Sequence, residues 1–86
     1  MSKNSIEKHI KLWTPATYRI EVEGHLDESW SDRLAGMRIT ARKRSHQITV
    51  TTLVGRLRDQ AELSGVLNSL YDLHLSIVKV EVVNGD

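Results

Sequence analysis

Four segments of the chain have residue patterns typical of β-strands: residues 18–23, 37–42, 48–57 and 75–83. The first two alternate between apolar and polar residues, the pattern of a strand with one buried face, and the last two are rich in β-branched residues. The polar cluster between the second and third segments, residues 43–47, is typical of a turn. The pattern therefore predicts four strands, the middle two joined as a hairpin.

The third segment alternates less cleanly than the others. Leu53 and Leu57 belong to one face, whereas the other register contains Ile48, Val50, Thr52 and Val54. Gly55 lies near the change of face and is typical of a β-bulge. We therefore expect Leu53 to point outward, away from the core.

Two segments have helical periodicity. Leu26, Trp30 and Leu34 recur every four residues between a capping residue, Asp27, and a C-terminal stop, Gly36. The spacing predicts a short amphipathic helix. Its apolar face would place Trp30 in the core.

The second helix begins in the stretch RDQAELSGVLNSLYDL, residues 58–73. Asp59 and Glu62 form a capping box, in which each side chain accepts a backbone N–H of the first turn. A general acid/base role for Asp59 with Gln60 is the alternative, but no nearby nucleophile or second carboxylate supports it. Gly65 is predicted to allow a close approach to the sheet. The apolar stripe of this helix contains Leu63, Val66, Leu67, Leu70 and Leu73.

The order strand, helix, strand, strand, helix, strand predicts an α+β fold. We expect a ferredoxin-like βαββαβ two-layer sandwich, with an antiparallel sheet of order 4-1-3-2 and both helices on one face. Residues 17–83 would form the domain. Residues 1–16 would form a short N-terminal arm, which the spacing of Ile6, Ile10 and Trp13 allows to be helical, and residues 84–86 a frayed tail.

Two motifs carry a resemblance to a known group of proteins. G-x-L-x-x-x-W spans residues 24–30, and L-x-G-x-x-x-D-Q-A-x-L-x-G-x-L spans residues 53–67. With the segments around them, residues 18–83, they resemble small uncharacterised ferredoxin-like proteins of actinobacteria and cyanobacteria. The resemblance implies a shared fold, and it implies no assigned activity, cofactor or catalytic residue.

Composition narrows the classes of function. The 86 residues suffice for one core, and the lack of cysteine excludes disulfides and thiolate metal sites. A net charge of +1 gives the chain no polyelectrolyte character. No apolar run approaches the roughly 18 residues that a membrane helix needs, and the N-terminus lacks a signal-peptide pattern. We expect a cytoplasmic protein with no membrane segment and no cofactor.

Three histidines would lie at one end of the predicted sheet: His25, His46 and His74. With Asp27 and Asp72 nearby, such a cluster could bind zinc or nickel. The alternative is that these are surface histidines in loops, and no local spacing such as H-x-x-x-H supports a metal site.

A basic run at the hairpin offers a second candidate site, with Arg38, Arg42, Lys43 and Arg44. Several cations at a hairpin can bind phosphate. Nucleic-acid recognition on a sheet also needs aromatic side chains for stacking. The third strand would offer only Thr49 and Thr51 there, and the first strand offers acidic residues. A solvated hairpin is therefore favoured over a nucleic-acid site.

The final strand holds apolar groups on both faces: Ile77, Val78, Val80, Val82 and Val83. With Leu53 pointing outward, this predicts a bare apolar face on the sheet, and such a face favours a homodimer. The second and fourth strands, at the edges of the predicted sheet, could also pair between subunits. The alternative is that the N-terminal arm covers the bare face.

No nucleophile with a base, phosphate loop or converging carboxylates indicates an enzyme. The leading hypothesis is a non-enzymatic oligomeric module that binds a partner protein or small effector. A nucleic-acid accessory domain is second, and a histidine-based metal-binding protein or small enzyme third.

Overall fold

The structure, a computed structural model, describes residues 15–84 of the chain. Most of the predicted N-terminal arm and the last two residues of the predicted tail lie outside the described residues. The described elements are β1 (Ala16–Glu23), a 3₁₀ helix (Glu28–Leu34), β2 (Arg38–Lys43), β3 (Thr49–Leu57), α1 (Gln60–Asp72) and β4 (Ser76–Asn84).

The four strands form one antiparallel sheet in the order β2-β3-β1-β4, which is 4-1-3-2 counted from the opposite edge. The predicted α+β class and antiparallel sheet are confirmed. β1 and β3 are central, so each has a neighbouring strand on both sides. β2 and β4 are the two edges of the sheet in the described part of the chain.

The predicted first α-helix is wrong in type, because residues Glu28–Leu34 form a 3₁₀ helix. At about 2.0 Å rise per residue against 1.5 Å, its 7 residues span what nine α-helical residues would. The larger rise lets few residues reach across from β1 to β2. Asp27 caps the helix by accepting from the Ser29 N–H at 3.1 Å. Trp30 was predicted to be a core residue; it is partly buried and packs against the buried core.

The core lies between the sheet and the helices. Its sheet side is built from alternate residues of β1 and β3, because side chains two apart share a face. Leu53 is fully buried, so its predicted outward orientation is wrong. The buried apolar residues are Ala16, Tyr18, Ile20, Val22, Leu26, Leu34, Met37, Ile39, Leu53, Leu57, Leu63, Val66 and Leu70.

Thr51 is the buried polar residue of this core, not an open-face residue as the sequence had indicated. Its hydroxyl donates to the Gly24 carbonyl at 2.6 Å and accepts from the Leu26 N–H at 3.1 Å. Both bonds go to the segment that leaves β1. Thr51 therefore holds the start of the crossover against the centre of the sheet.

Gly55 and Gly65 have different structural surroundings. Gly55 is not at a bulge, since β3 pairs with both neighbours without a register shift. A Cβ there would lie 2.9 Å from Met37 Cγ and 3.0 Å from Met37 Cα, so glycine is needed for this close approach. Gly65, predicted to approach the sheet, is exposed and would place a Cβ in open space. It is on the solvent side of α1.

Asp59 and Glu62 begin α1. Asp59 Oδ1 accepts from the Glu62 N–H at 2.9 Å, and Glu62 Oε1 accepts from the Arg58 N–H at 2.8 Å. Gln60 Nε2 donates to the Tyr18 hydroxyl at 2.9 Å, which ties the helix to β1. Both members of the Asp59–Gln60 pair thus have structural partners.

Candidate functional site

The sheet face away from the helices is mostly polar, with Val50 and Val54 of β3 among its charged and hydroxyl residues, which corrects the expectation of a bare apolar face. In the register of the sheet, Arg19 of β1 lies opposite Glu81, and Glu21 lies opposite Lys79. On the other side, Glu21 lies opposite Thr52 of β3. The error follows from Leu53, which points into the core. The open face therefore gives no apolar surface of the kind the dimer hypothesis assumed.

The basic residues of the hairpin are divided between the two faces. Ile39 is buried on the helix side, so Arg38 and Arg42 point to the open face by strand alternation, and Lys43 points to the other. Arg42 and Arg44 line a concavity of about 420 Å³ on the open face, together with Arg19, Glu21, Thr40, Val50 and Thr52. Within residues 15–84, neither Arg42 nor Arg44 has a carboxylate partner. The concavity combines these two arginines with the carboxylate of Glu21.

The three predicted metal ligands are all exposed. His25 follows Gly24 and lines a concavity with Gln47 of the β2–β3 turn, whereas His74 lines another beside Tyr71 at the end of α1. His46 lines neither of these concavities. In the part of the chain that the structure describes, no group of three or more His, Asp or Glu side chains is placed to hold a metal ion.

Exposed apolar side chains are concentrated on β4 instead. Ile77 is 36% exposed, Val78 55%, Val80 41% and Val83 49%. Together we call these four residues the β4 patch. They make up most of the large exposed apolar residues in the range 15–84; the others are Ile48 and Tyr71. Tyr71, 75% exposed, lies with Ile77 around a concavity at the start of β4, so it extends the patch.

The geometry of β4 explains why these side chains remain exposed. Val80 and Ile77 lie opposite Ile20 and Val22, so they are on the helix side of the sheet. Both are at its outer edge, where the described elements leave 36% of Ile77 and 41% of Val80 exposed. Val78 falls at a register shift and has no partner in β1. Within the described residues, the edge strand thus presents apolar groups together with unpaired backbone N–H and C=O groups, the features that allow another strand to pair.

The open-face side of β4 is charged. Arg19 Nε donates to Glu81 Oε2 at 2.6 Å, and Lys79 Nζ lies 3.7 Å from Glu81 Oε1. The hydrogen bond from Arg19 lowers the pKa of Glu81 below its ordinary value. Glu81 is therefore ionised at neutral pH, between two cations.

The sequence contained part of the signal for this surface. It showed apolar residues at consecutive positions of the last strand, but it assigned them to the open face of the sheet rather than to the outer edge on the helix side. The reason is that β4 has two register shifts against β1, one at each side of Lys79–Val82, and each inserts a residue into the alternation. The edge position of the strand, rather than a bare sheet face, produces the exposure.

No helix in residues 15–84 combines the length and hydropathy of a membrane span. A family model described as a domain of unknown function, DUF8691, matches residues 17–81, from the first strand into the last. Neither the curated proteins nor the solved structures contain a match to the chain. Because the family model covers well over half of its length, the chain belongs to the DUF8691 family of domains.

Proposed function

We propose that this chain is a non-enzymatic interaction module of ferredoxin-like fold that self-associates through strand β4. The observation that carries the proposal is the β4 patch, four exposed apolar side chains on a strand at the edge of the described sheet. Natural sheets usually protect such edges with like charges, prolines or a covering element. β4 lacks a proline, and no described element covers its outer edge.

The other edge of the sheet supports the choice of β4. β2 carries Arg38, Arg42 and Lys43 in six residues and no acidic residue. Pairing two copies of β2 would bring these cations together, and like charges across strands are destabilising. β2 therefore has the charge pattern of a protected edge, whereas the apolar β4 favours association.

The experiment is a light-scattering mass measurement on the full chain and on two matched variants. Val80→Lys places a charge in the β4 patch, and Ile48→Lys makes the same change at a residue of similar exposure, 38% against 41%, outside β4. We expect the wild type and Ile48→Lys to have twice the chain mass, and Val80→Lys to have the mass of one chain. Equal masses for all three proteins would contradict the proposal.

We propose binding of nucleic acid through the basic hairpin as a second candidate function. The supporting observation is that Arg42 and Arg44 line one concavity without a carboxylate partner in residues 15–84. Glu21 in the same concavity, and the lack of any described aromatic residue on this face, reduce the support. Fluorescence anisotropy with a labelled oligonucleotide at low salt tests it. Binding that is lost in Arg42→Glu and falls with salt supports the function, and no binding at low salt refutes it.

A further inference from the structure

We infer that the occupant of the β4 edge is a second copy of this chain, paired antiparallel with Val80 on the two-fold axis. The inference rests on the proposed self-association and adds its register. The two sheets would join into one of eight strands, with all helices on the same side, because a two-fold axis perpendicular to the sheet preserves its faces.

The sequence of β4 is nearly symmetric about Val80. Strand β4 reads SIVKVEVVN from Ser76 to Asn84, so the residues at equal distance from the centre are alike or complementary. In a pairing centred on Val80, Val78 lies opposite Val82 of the second copy and Ile77 opposite Val83. Apolar residues thus meet apolar residues at the centre of the contact and beyond the charged positions 79 and 81.

The charged residues select this register over its neighbours. Directly opposite residues of a sheet share a face, so a symmetric antiparallel pair must be centred on a residue. A centre at Lys79 would place two lysines opposite each other, and a centre at Glu81 would place two glutamates opposite each other. Centring on Val80 instead places Lys79 of each copy opposite Glu81 of the other.

The neighbouring strand extends this complementarity. Arg19 lies opposite Glu81 and Glu21 opposite Lys79 within one copy. In the Val80-centred register, a row across the joined open faces reads Arg19, Glu81, then Lys79 and Glu21 of the second copy. The charges alternate through all four positions, and the two-fold axis generates a second such row. Opposite charges across strands stabilise a sheet, whereas like charges destabilise it.

The backbone of β4 is suited to the contact. The two register shifts against β1 lie between Thr17 and Tyr18 and between Glu21 and Val22. The segment of β4 between them, residues 79–82, pairs with β1 residue by residue. The centre of the proposed contact and its two charged positions are therefore in the regular part of the strand.

Mixing two charge variants of the full chain tests the register. In Lys79→Glu, each contact would place two glutamates opposite each other, and in Glu81→Lys it would place two lysines opposite each other. We expect the dimer dissociation constant of each variant to rise about ten-fold, since every dimer contains two such pairs. In a mixed dimer of the two variants, both pairs that cross the contact between the copies are of opposite charge again. Mixing should therefore restore a dissociation constant near that of the wild type, which a general loss of stability would not do.

The control is Lys43→Glu, which makes the same charge change on the opposite edge strand and should leave the dissociation constant unchanged. Salt at about 1 M should reduce the effect of both β4 variants, because the Debye length falls to about 3 Å. If the mixed variants dissociate as readily as each alone, the Val80-centred register is wrong.

Cysteine cross-linking gives an independent test, because the chain has no cysteine of its own. Val80→Cys would face its own copy across the axis at a Cα separation of about 4.5–5.5 Å, within the range of a disulfide. Val78→Cys, although more exposed, would lie about 13 Å along the strand from its own copy. We expect oxidation to cross-link Val80→Cys much faster than Val78→Cys. If the protein is dimeric but Val78→Cys cross-links as fast as Val80→Cys or faster, the register is wrong and the self-association stands. If the wild type is monomeric, the proposed self-association is wrong as well.

Discussion

Replacing Thr51 with valine tests the polar contact that joins the crossover to the sheet. The substitution keeps the β-branched shape and removes the hydroxyl, which makes hydrogen bonds of 2.6 Å to Gly24 and 3.1 Å to Leu26. Each bond contributes about 1 kcal/mol net, and the buried backbone groups are left without this partner, so we expect a loss of about 2 kcal/mol. The loss should appear in the free energy of unfolding.

The assay is urea unfolding at one fixed protein concentration, because a dimer unfolds in a concentration-dependent way. With a slope of about 1 kcal/mol/M for a domain of this size, the midpoint for Thr51→Val should fall by about 2 M. Thr52→Val is the matched control, since Thr52 is adjacent, half-buried and on the open face. It should change the free energy of unfolding by less than about 0.5 kcal/mol. Equal midpoints for the two variants would refute the role assigned to Thr51.

Three further predictions concern stability. Gly65→Ala should raise the free energy of unfolding by about 0.5–1 kcal/mol, because the added methyl meets no atom and favours the helix; a lower urea midpoint would contradict this. Gly55→Ala should lower it by about 1–3 kcal/mol, because the new Cβ would collide with Met37; an unchanged midpoint would show that the contact relaxes freely. The pKa of Glu81 is lowered by the hydrogen bond from Arg19, so its stabilising effect is present at neutral pH and is lost as pH falls through its folded-state value. Thermal melts between about pH 6 and pH 3 should therefore show a smaller decrease for Glu81→Gln than for the wild type, and parallel curves would exclude the contribution.

The strands could be predicted from the sequence because a period of two residues depends only on which face of a sheet is buried. The hairpin, the helix after β3 and its capping residues follow from equally local signals. The side chains of Asp59 and Glu62, for example, accept hydrogen bonds from backbone N–H groups within four residues along the chain. Such local features do not depend on how the elements pack.

The features that could not be predicted depend on packing between distant segments. Leu26, Trp30 and Leu34 fit the spacing of an α-helix, but residues Glu28–Leu34 form a 3₁₀ helix. Threonine suits either face of a strand, so nothing in its own side chain showed that Thr51 is buried. Its position two residues before Leu53 was the available signal.

The surface proposed for self-association was predicted in part. The sequence showed consecutive apolar residues in the last strand and led to the dimer hypothesis. It placed them on an open sheet face, because it could not show the register shifts on either side of Lys79–Val82. The predicted order 4-1-3-2 had already placed the last strand at an edge of the sheet, which is where β4 lies.

The central claim is that two copies of the chain associate through β4, and the most direct test is the solution mass of the wild-type protein. Light scattering after size-exclusion chromatography, over a wide range of concentrations, measures it without a variant or a label. We expect twice the mass of the chain at high concentration, with dissociation on dilution. A mass of one chain at every concentration would contradict self-association through β4.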